Sequence, residues 1–232
     1  MSRVSVRNLE HTAAKRLIPA MNSFNARHPW SHNDRFHWWI LRNLPPRRSR
    51  VLDVGCGRGE LLARLAGKFD TVHGTDLSRD MRTAAEERCA GLPNVTIDAA
   101  QMEDLAGPYD AITMVAVLHH LAEKEALRQV QRLLAPGGRL LVVGLAPPMS
   151  MMDQAWDVAS LAANPVMGLV KHPLRASPAL QTVPVKDPEV PFAVLKQTVP
   201  EVLPGARMRH RLYFRCTIAW SQPRQDAQLM PT

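Results

Sequence analysis

The chain is poor in cysteine, in aromatic residues and in long apolar runs, and each shortage excludes something. Its 232 residues hold three cysteines, Cys56, Cys89 and Cys216, with no CxxC pair. Neither a disulfide scaffold nor a structural zinc site is expected, and no metal is assigned; a reducing, cytoplasmic setting fits. The longest uninterrupted apolar run is Met114–Leu118, far short of the roughly 20 residues a membrane-spanning helix needs. The N-terminus lacks the apolar stretch of a secretory signal, although it is basic and acid-poor in the manner of an organellar presequence. Aromatics make up 5% of the chain and no internal repeat or low-complexity tract is present.

What is present suits one α/β domain. A hydrophobic fraction of 46% excludes a largely disordered protein and allows a sizeable core. Lys and Arg outnumber Asp and Glu by 29 to 21, a net charge of +8. Such a balance is the electrostatic footprint of a nucleic-acid binder. Arg far outnumbers Lys, however, and any chain from an Arg-favouring proteome carries the same excess.

Four regions differ in texture. Residues 1–48 carry helical-period apolar positions and an aromatic and histidine patch, His28-Pro29-Trp30-Ser31-His32 and Phe36-His37-Trp38-Trp39, read as an N-terminal helical cap. The histidines match no standard zinc spacing. A core over 49–232 begins with strands at Val51–Val54, Thr71–Thr75, Val95–Asp98, Ala111–Val115 and Leu140–Gly144. Helices are expected between them near Glu60–Gly67, Asp80–Cys89 and Lys124–Leu134. Residues 146–204, rich in Pro and Met, read as a substrate-side insertion or lid after the fifth strand, with helices near Asp153–Ala163 and Pro191–Leu203. Arg207–Trp220 reads as strand, with Met208, Leu212, Phe214 and Ile218 on one face and Arg207, Arg209, Arg211 and Arg215 on the other. That arginine stripe is either a solvated face or a contact for an anionic substrate or RNA.

The stretch Val51-Leu52-Asp53-Val54-Gly55-Cys56-Gly57-Arg58-Gly59-Glu60 carries the chemistry. An apolar strand runs into a glycine turn that opens a helix, and glycines there let a ligand press against bare backbone. The spacing is GxGxG, not the GxGxxG of pyrophosphate-binding folds. Asp76 follows at the end of the second strand, where a carboxylate accepts hydrogen bonds from both ribose hydroxyls.

These residues resemble the class I S-adenosylmethionine-dependent methyltransferases. VLDVGCGRG is similar to the family's first motif and Val72–Ser78 to its second, with Asp76 in the ribose-binding place. Asn94–Leu105 resembles the third, where Gln101 and Met102 stand in place of the usual acid and apolar residue at the adenine. Tyr109–Leu121 resembles the fourth and Leu133–Leu140 the fifth, and the tail from Leu203 to Trp220 is similar to the final strands of small-molecule members. The resemblance implies a Rossmann-like, seven-stranded, mostly parallel sheet with helices on both faces. It implies S-adenosylmethionine as cofactor, held by Asp53, Gly55, Cys56, Gly57, Gly59, Asp76, Leu77, Gln101, Met102 and Val115.

His119 and His120 follow the fourth strand at the rim where this fold places its substrates, and either is a candidate general base, since imidazole titrates near neutrality. They equally suit a merely structural start to the next helix. Trp30, His32, Met149 and Met152 are candidate substrate contacts. The expected function is methyl transfer to the O, N or C atom of a small molecule by a monomer or homodimer that has no membrane partner. One alternative is an RNA methyltransferase; the fourth motif reads Asp110-Ala111-Ile112-Thr113-Met114-Val115 and lacks the Asn/Asp-Pro-Pro-Tyr/Phe of base-amine methylation. The other is a cofactor-binding protein with non-methylating chemistry.

Overall fold

Tyr109–Val115 buries six of its seven residues, as expected of a strand covered on both faces. In the computed structural model, which describes residues 32–145, 192–211 and 215–224, this is β4 at the middle of a seven-stranded sheet. The chain runs α1 (His32–Arg42), β1 (Arg50–Val54), α2 (Glu60–Ala66), β2 (Thr71–Thr75), α3 (Arg79–Cys89), β3 (Val95–Asp98), β4, α4 (Glu123–Leu133), β5 (Leu134–Leu145), α5 (Phe192–Val202), β6 (Arg207–Arg211) and β7 (Arg215–Ser221). Single 3-10 turns sit at Met102–Asp104 and Leu118–His120. The strand order is β3-β2-β1-β4-β5-β7-β6. The first five strands are parallel, and β7 runs antiparallel to both β5 and β6.

Helices cover both faces. On one, Leu127, Val130 and Leu133 of α4 and Leu195 and Val199 of α5 pack on Leu52, Ile112, Leu140 and Val142. On the other, Phe36 and Ile40 of α1 and Leu61, Leu62 and Leu65 of α2 pack on Val51, Val72, Leu141 and Val143. Residues 192–202 of the Pro/Met-rich region thus join the helical layer of the core, as α1 does on the opposite face. The expected helix at Asp153–Ala163 lies outside the described residues.

The strands and helices from β1 to α4 fall within two residues of their expected ends, whereas β5 starts six residues before the expected Leu140. One correction concerns Arg207–Trp220, expected as one strand. It folds as two antiparallel strands, with Met208 opposite Ile218 and Arg211 opposite Arg215. A single strand of that length would extend about 45 Å at ~3.3 Å per residue, longer than the sheet it must pair with. At Leu212-Tyr213-Phe214 the basic residue that alternation requires at position 213 is missing, and the reversal falls between Arg211 and Arg215.

The amino ends of β1 and β4 are tied together by one carboxylate. Asp110 Oδ2 accepts the Ser49 and Arg50 amides at 2.7 and 3.1 Å, and Asp110 Oδ1 meets Arg47 Nε at 3.1 Å. At their carboxyl ends the strand order reverses, and connections lead away to opposite sides. That reversal leaves a crevice at the edge where ligands bind in open α/β sheets.

Beside the Asp110 tie, Gly138 sits where β5 bulges away from β4. A Cβ there would lie 2.8 Å from the Ala135 carbonyl oxygen and 3.0 and 3.1 Å from those of Tyr109 and Asp110. Gly138→Ala is therefore expected to cost about 1–3 kcal/mol in urea unfolding. Gly91→Ala, where an added Cβ meets nothing within 4 Å, should change stability by less than about 0.5 kcal/mol.

Candidate active site

The carboxyl ends of β1, β2, β3 and β4 bring the sequence-predicted residues to one edge of the sheet. Gly55, Gly57 and Gly59 all adopt positive φ, at 67, 54 and 76°, which lets the chain leave β1 and turn directly into α2. A Cβ on Gly57 would meet nothing within 4 Å, whereas one on Gly55 would fall 2.5 Å from Val117 Cγ2. The loop thus packs against the turn after β4 on one side and exposes bare backbone on the other. The Cys56 side chain points beneath the loop, towards Gly74 and Leu62, and burial, reinforced by Asp53, pushes its thiol well above the usual range. What Cys56 presents to the crevice is main chain.

Asp76 fixes this loop to the next one. Its Oδ2 accepts the Gly57 amide and its Oδ1 the Ser78 amide, both at 2.9 Å. Arg82 Nη1 donates to the Asp76 carbonyl at 2.8 Å. Each carboxylate oxygen keeps a lone pair for an outside donor. Leu77, beside it, is 71% exposed, an apolar side chain held at the lip of the crevice. Beyond β3, Gln101 is exposed and precedes the 3-10 turn, Met102 is buried, and Val115 is half-buried at the end of β4.

Asp53 lies inside β1 and is buried between Gly74 of β2 and Thr113 of β4. Thr113 Oγ1 donates to Asp53 Oδ1 at 2.6 Å. Burial raises the Asp53 carboxyl to about 7, against the lowering effect of that hydrogen bond and with help from Asp76 and Glu60. Thr113, Val117 and Arg82 are site residues that the motifs do not reveal. Thr113 is 60 positions from its partner, a pairing that only strand register discloses.

The rim after β4 holds the two histidines. Ala116 takes a φ of 56°, a left-handed conformation uncommon for a residue with a Cβ, and turns the chain into Leu118–His120. His119 is half-buried and His120 exposed, with ring centroids 4.0 Å apart. A narrow recess of about 10 Å³, room for about one water, adjoins His119, lined by Leu118, Glu123, Gly144, Leu145, Leu195 and Cys216. Burial raises the Cys216 thiol to about 11, so it enters the pocket wall uncharged. Trp30, Met149 and Met152 lie outside the described residues, and of His32 only the backbone, at the start of α1, is described. Among the described residues no cluster of three potential metal ligands forms, and no helix is long and apolar enough to cross a membrane.

The raised Asp53 carboxyl has a measurable consequence. Its folded value lies above the unfolded value of 3.8, so stability present at low pH is lost as pH rises through about 7. Asp53→Asn keeps an acceptor for Thr113 and removes the titration. The variant should match the native protein in stability near pH 4, gain on it steadily towards pH 7, and hold a constant advantage of a few kcal/mol above that. Urea unfolding of both proteins across that range checks the sign.

Comparison with known proteins agrees with this geometry. Residues 51–138 match the methyltransferase domain family. An uncharacterized methyltransferase of Mycobacterium tuberculosis is 32% identical over 205 residues, covering 84% of this chain and 98% of that protein. The ubiquinone/menaquinone biosynthesis C-methyltransferase UbiE of Pseudomonas syringae pv. tomato is 35% identical over 131 residues, covering 52% of this chain and 51% of the relative. Among solved structures, a SAM-dependent methyltransferase from Aquifex aeolicus superposes with a TM-score of 0.52 at 18% identity, over 80% of this chain and 88% of that one. The sheet order, the glycine loop and its carboxylate partner, and a relative matched over nearly its whole length establish that this chain belongs to the class I S-adenosylmethionine-dependent methyltransferases.

Proposed function

We propose that the enzyme methylates a small molecule at an O, N or C atom, and that the acceptor enters beside the carboxyl ends of β4 and β5. The observation carrying this reading is the His119 rim beside the crevice where the strand order reverses, the edge at which ligands bind in open α/β sheets. The narrow recess next to it has an apolar wall of Leu118, Leu145 and Leu195. A second support is the C-methyltransferase UbiE relative.

S-adenosylmethionine supplies an activated methyl group on a sulfonium. In this reading Asp76 receives the ribose hydroxyls, its carboxylate already aligned by the Gly57 and Ser78 amides. Gly55, Cys56, Gly57 and Gly59 offer backbone at close approach. Leu77, Gln101 and Met102 border the purine, while Val115 and Asp53 support the amino-acid end. Leu118, Leu145 and Leu195 keep the acceptor pocket dry, which favours loss of positive charge at the reacting centre. His119, facing that recess, takes a proton from a hydroxyl or ammonium acceptor, and the His120 ring lies tilted against it. A carbanion, thiolate or neutral amine needs no such base.

Methyl-labelled S-adenosylmethionine, incubated with the enzyme and an extract of its source cells, tests the reading. Label is expected in the small-molecule fraction. Asp76→Ala, which removes both amide tethers, should lower incorporation at limiting cofactor by about 100-fold. Label in RNA instead would overturn the small-molecule assignment and turn attention to Arg207 and Arg209. With the labelled acceptor identified, His119→Ala should reduce turnover by about 10²-fold or more if the acceptor must lose a proton; full turnover in a His119/His120 double variant removes both from the chemistry.

A further inference from the structure

The segment joining β3 to β4 carries Gln101 and Met102 past the cofactor edge, yet only Met102 and Leu105 of its ten residues are buried. Its one regular feature is a single 3-10 turn, too short to satisfy its own carbonyls. Those carbonyls face α4, where one side chain gathers them. Arg132 Nη2 donates to the Met102 carbonyl at 2.9 Å and the Glu103 carbonyl at 3.3 Å, and Nη1 to the Leu105 carbonyl at 3.1 Å. The guanidinium is itself oriented by Gln129, whose Oε1 accepts Nε at 2.8 Å. Farther along, Arg50 reaches the Ala106 and Pro108 carbonyls at 3.5 and 3.4 Å.

We propose that Arg132 is a positioning residue for the cofactor: it holds the Met102–Leu105 turn at the height at which Met102 meets the purine. A planar fork with five donors suits three carbonyls on one turn, and an ammonium cannot span them at once. Arg132 touches no reacting group, and in this role it changes cofactor affinity and leaves the chemical step alone. The same helix begins at Glu123 on the acceptor pocket, so α4 references both halves of the site to one rigid element. The inference rests on the reading that Met102 borders the purine.

Calorimetric titration of the full chain with S-adenosylhomocysteine provides the test. Met102→Ala is measured first and should weaken binding about tenfold; unchanged affinity would overturn the purine reading and with it the role of Arg132. Arg132→Met should then weaken binding by about tenfold, Arg132→Lys by less, and the Arg132→Met/Met102→Ala double variant by less than the product of the two. Hydrogen exchange at residues 102–106 should accelerate in Arg132→Met while the amides of β1 and β4 keep their protection. Arg128→Met, which on α4 loses only its contact with Glu125, should bind as the parent does. Affinity within twofold of the parent in Arg132→Met, with Met102→Ala impaired, would overturn the proposal alone.

Discussion

Two backbone amides converging on one carboxylate organise the cofactor side of this protein. Gly57 and Ser78 belong to the loops after adjacent strands, and Asp76 accepts from both. That bridge adds to the Cys56 amide on the Thr75 carbonyl and to Arg88 on the Arg58 carbonyl in holding the three left-handed glycines in place. With it, α2 and α3 start from a common fixed point, and the exposed carboxylate lone pairs face outward. Asp76 stays half-exposed, whereas Asp53, one strand away, is enclosed by the sheet, and burial raises its carboxyl to about 7.

The division between the two halves follows from where the strand order turns. On the β1–β2 side, the two loops are short and tied to each other through Asp76, which fits recognition of an invariant ligand. On the β4–β5–β7 side, the rim is made of side chains: His119, Glu123, Leu145, Leu195, Cys216. Substitution there changes the shape and polarity of the pocket with little demand on the main chain. The antiparallel β6–β7 pair completes that side and buries Cys216 and Ile218 against β5.

Much of this was legible in the sequence. Glycines after an apolar strand, an acid at the end of the next, and the alternation from Val51 to Gly144 carry the parallel half of the fold, because each signal is local. The unread parts are those whose cause is distant in the chain. Thr113 answers Asp53 across a strand pair, and Arg132 serves a turn some thirty positions earlier. The reversal within Arg207–Trp220 leaves only Tyr213, in place of a basic residue, as its mark in the sequence. Cys56 shows a different limit: its position in the motif marks a backbone contribution, and the side chain lies on the far side of the loop, packed into the core.

The Asp110 tie bears on how firmly the site is founded. It joins β1 and β4 at one end, where three donors share a buried carboxylate, and towards the other end Thr113 latches Asp53 across the same strand pair. The two central strands are therefore bolted by side chains at both ends of their ladder, and the Gly55–Val117 contact beyond it stands on a footing that a ligand at the crevice need not assemble.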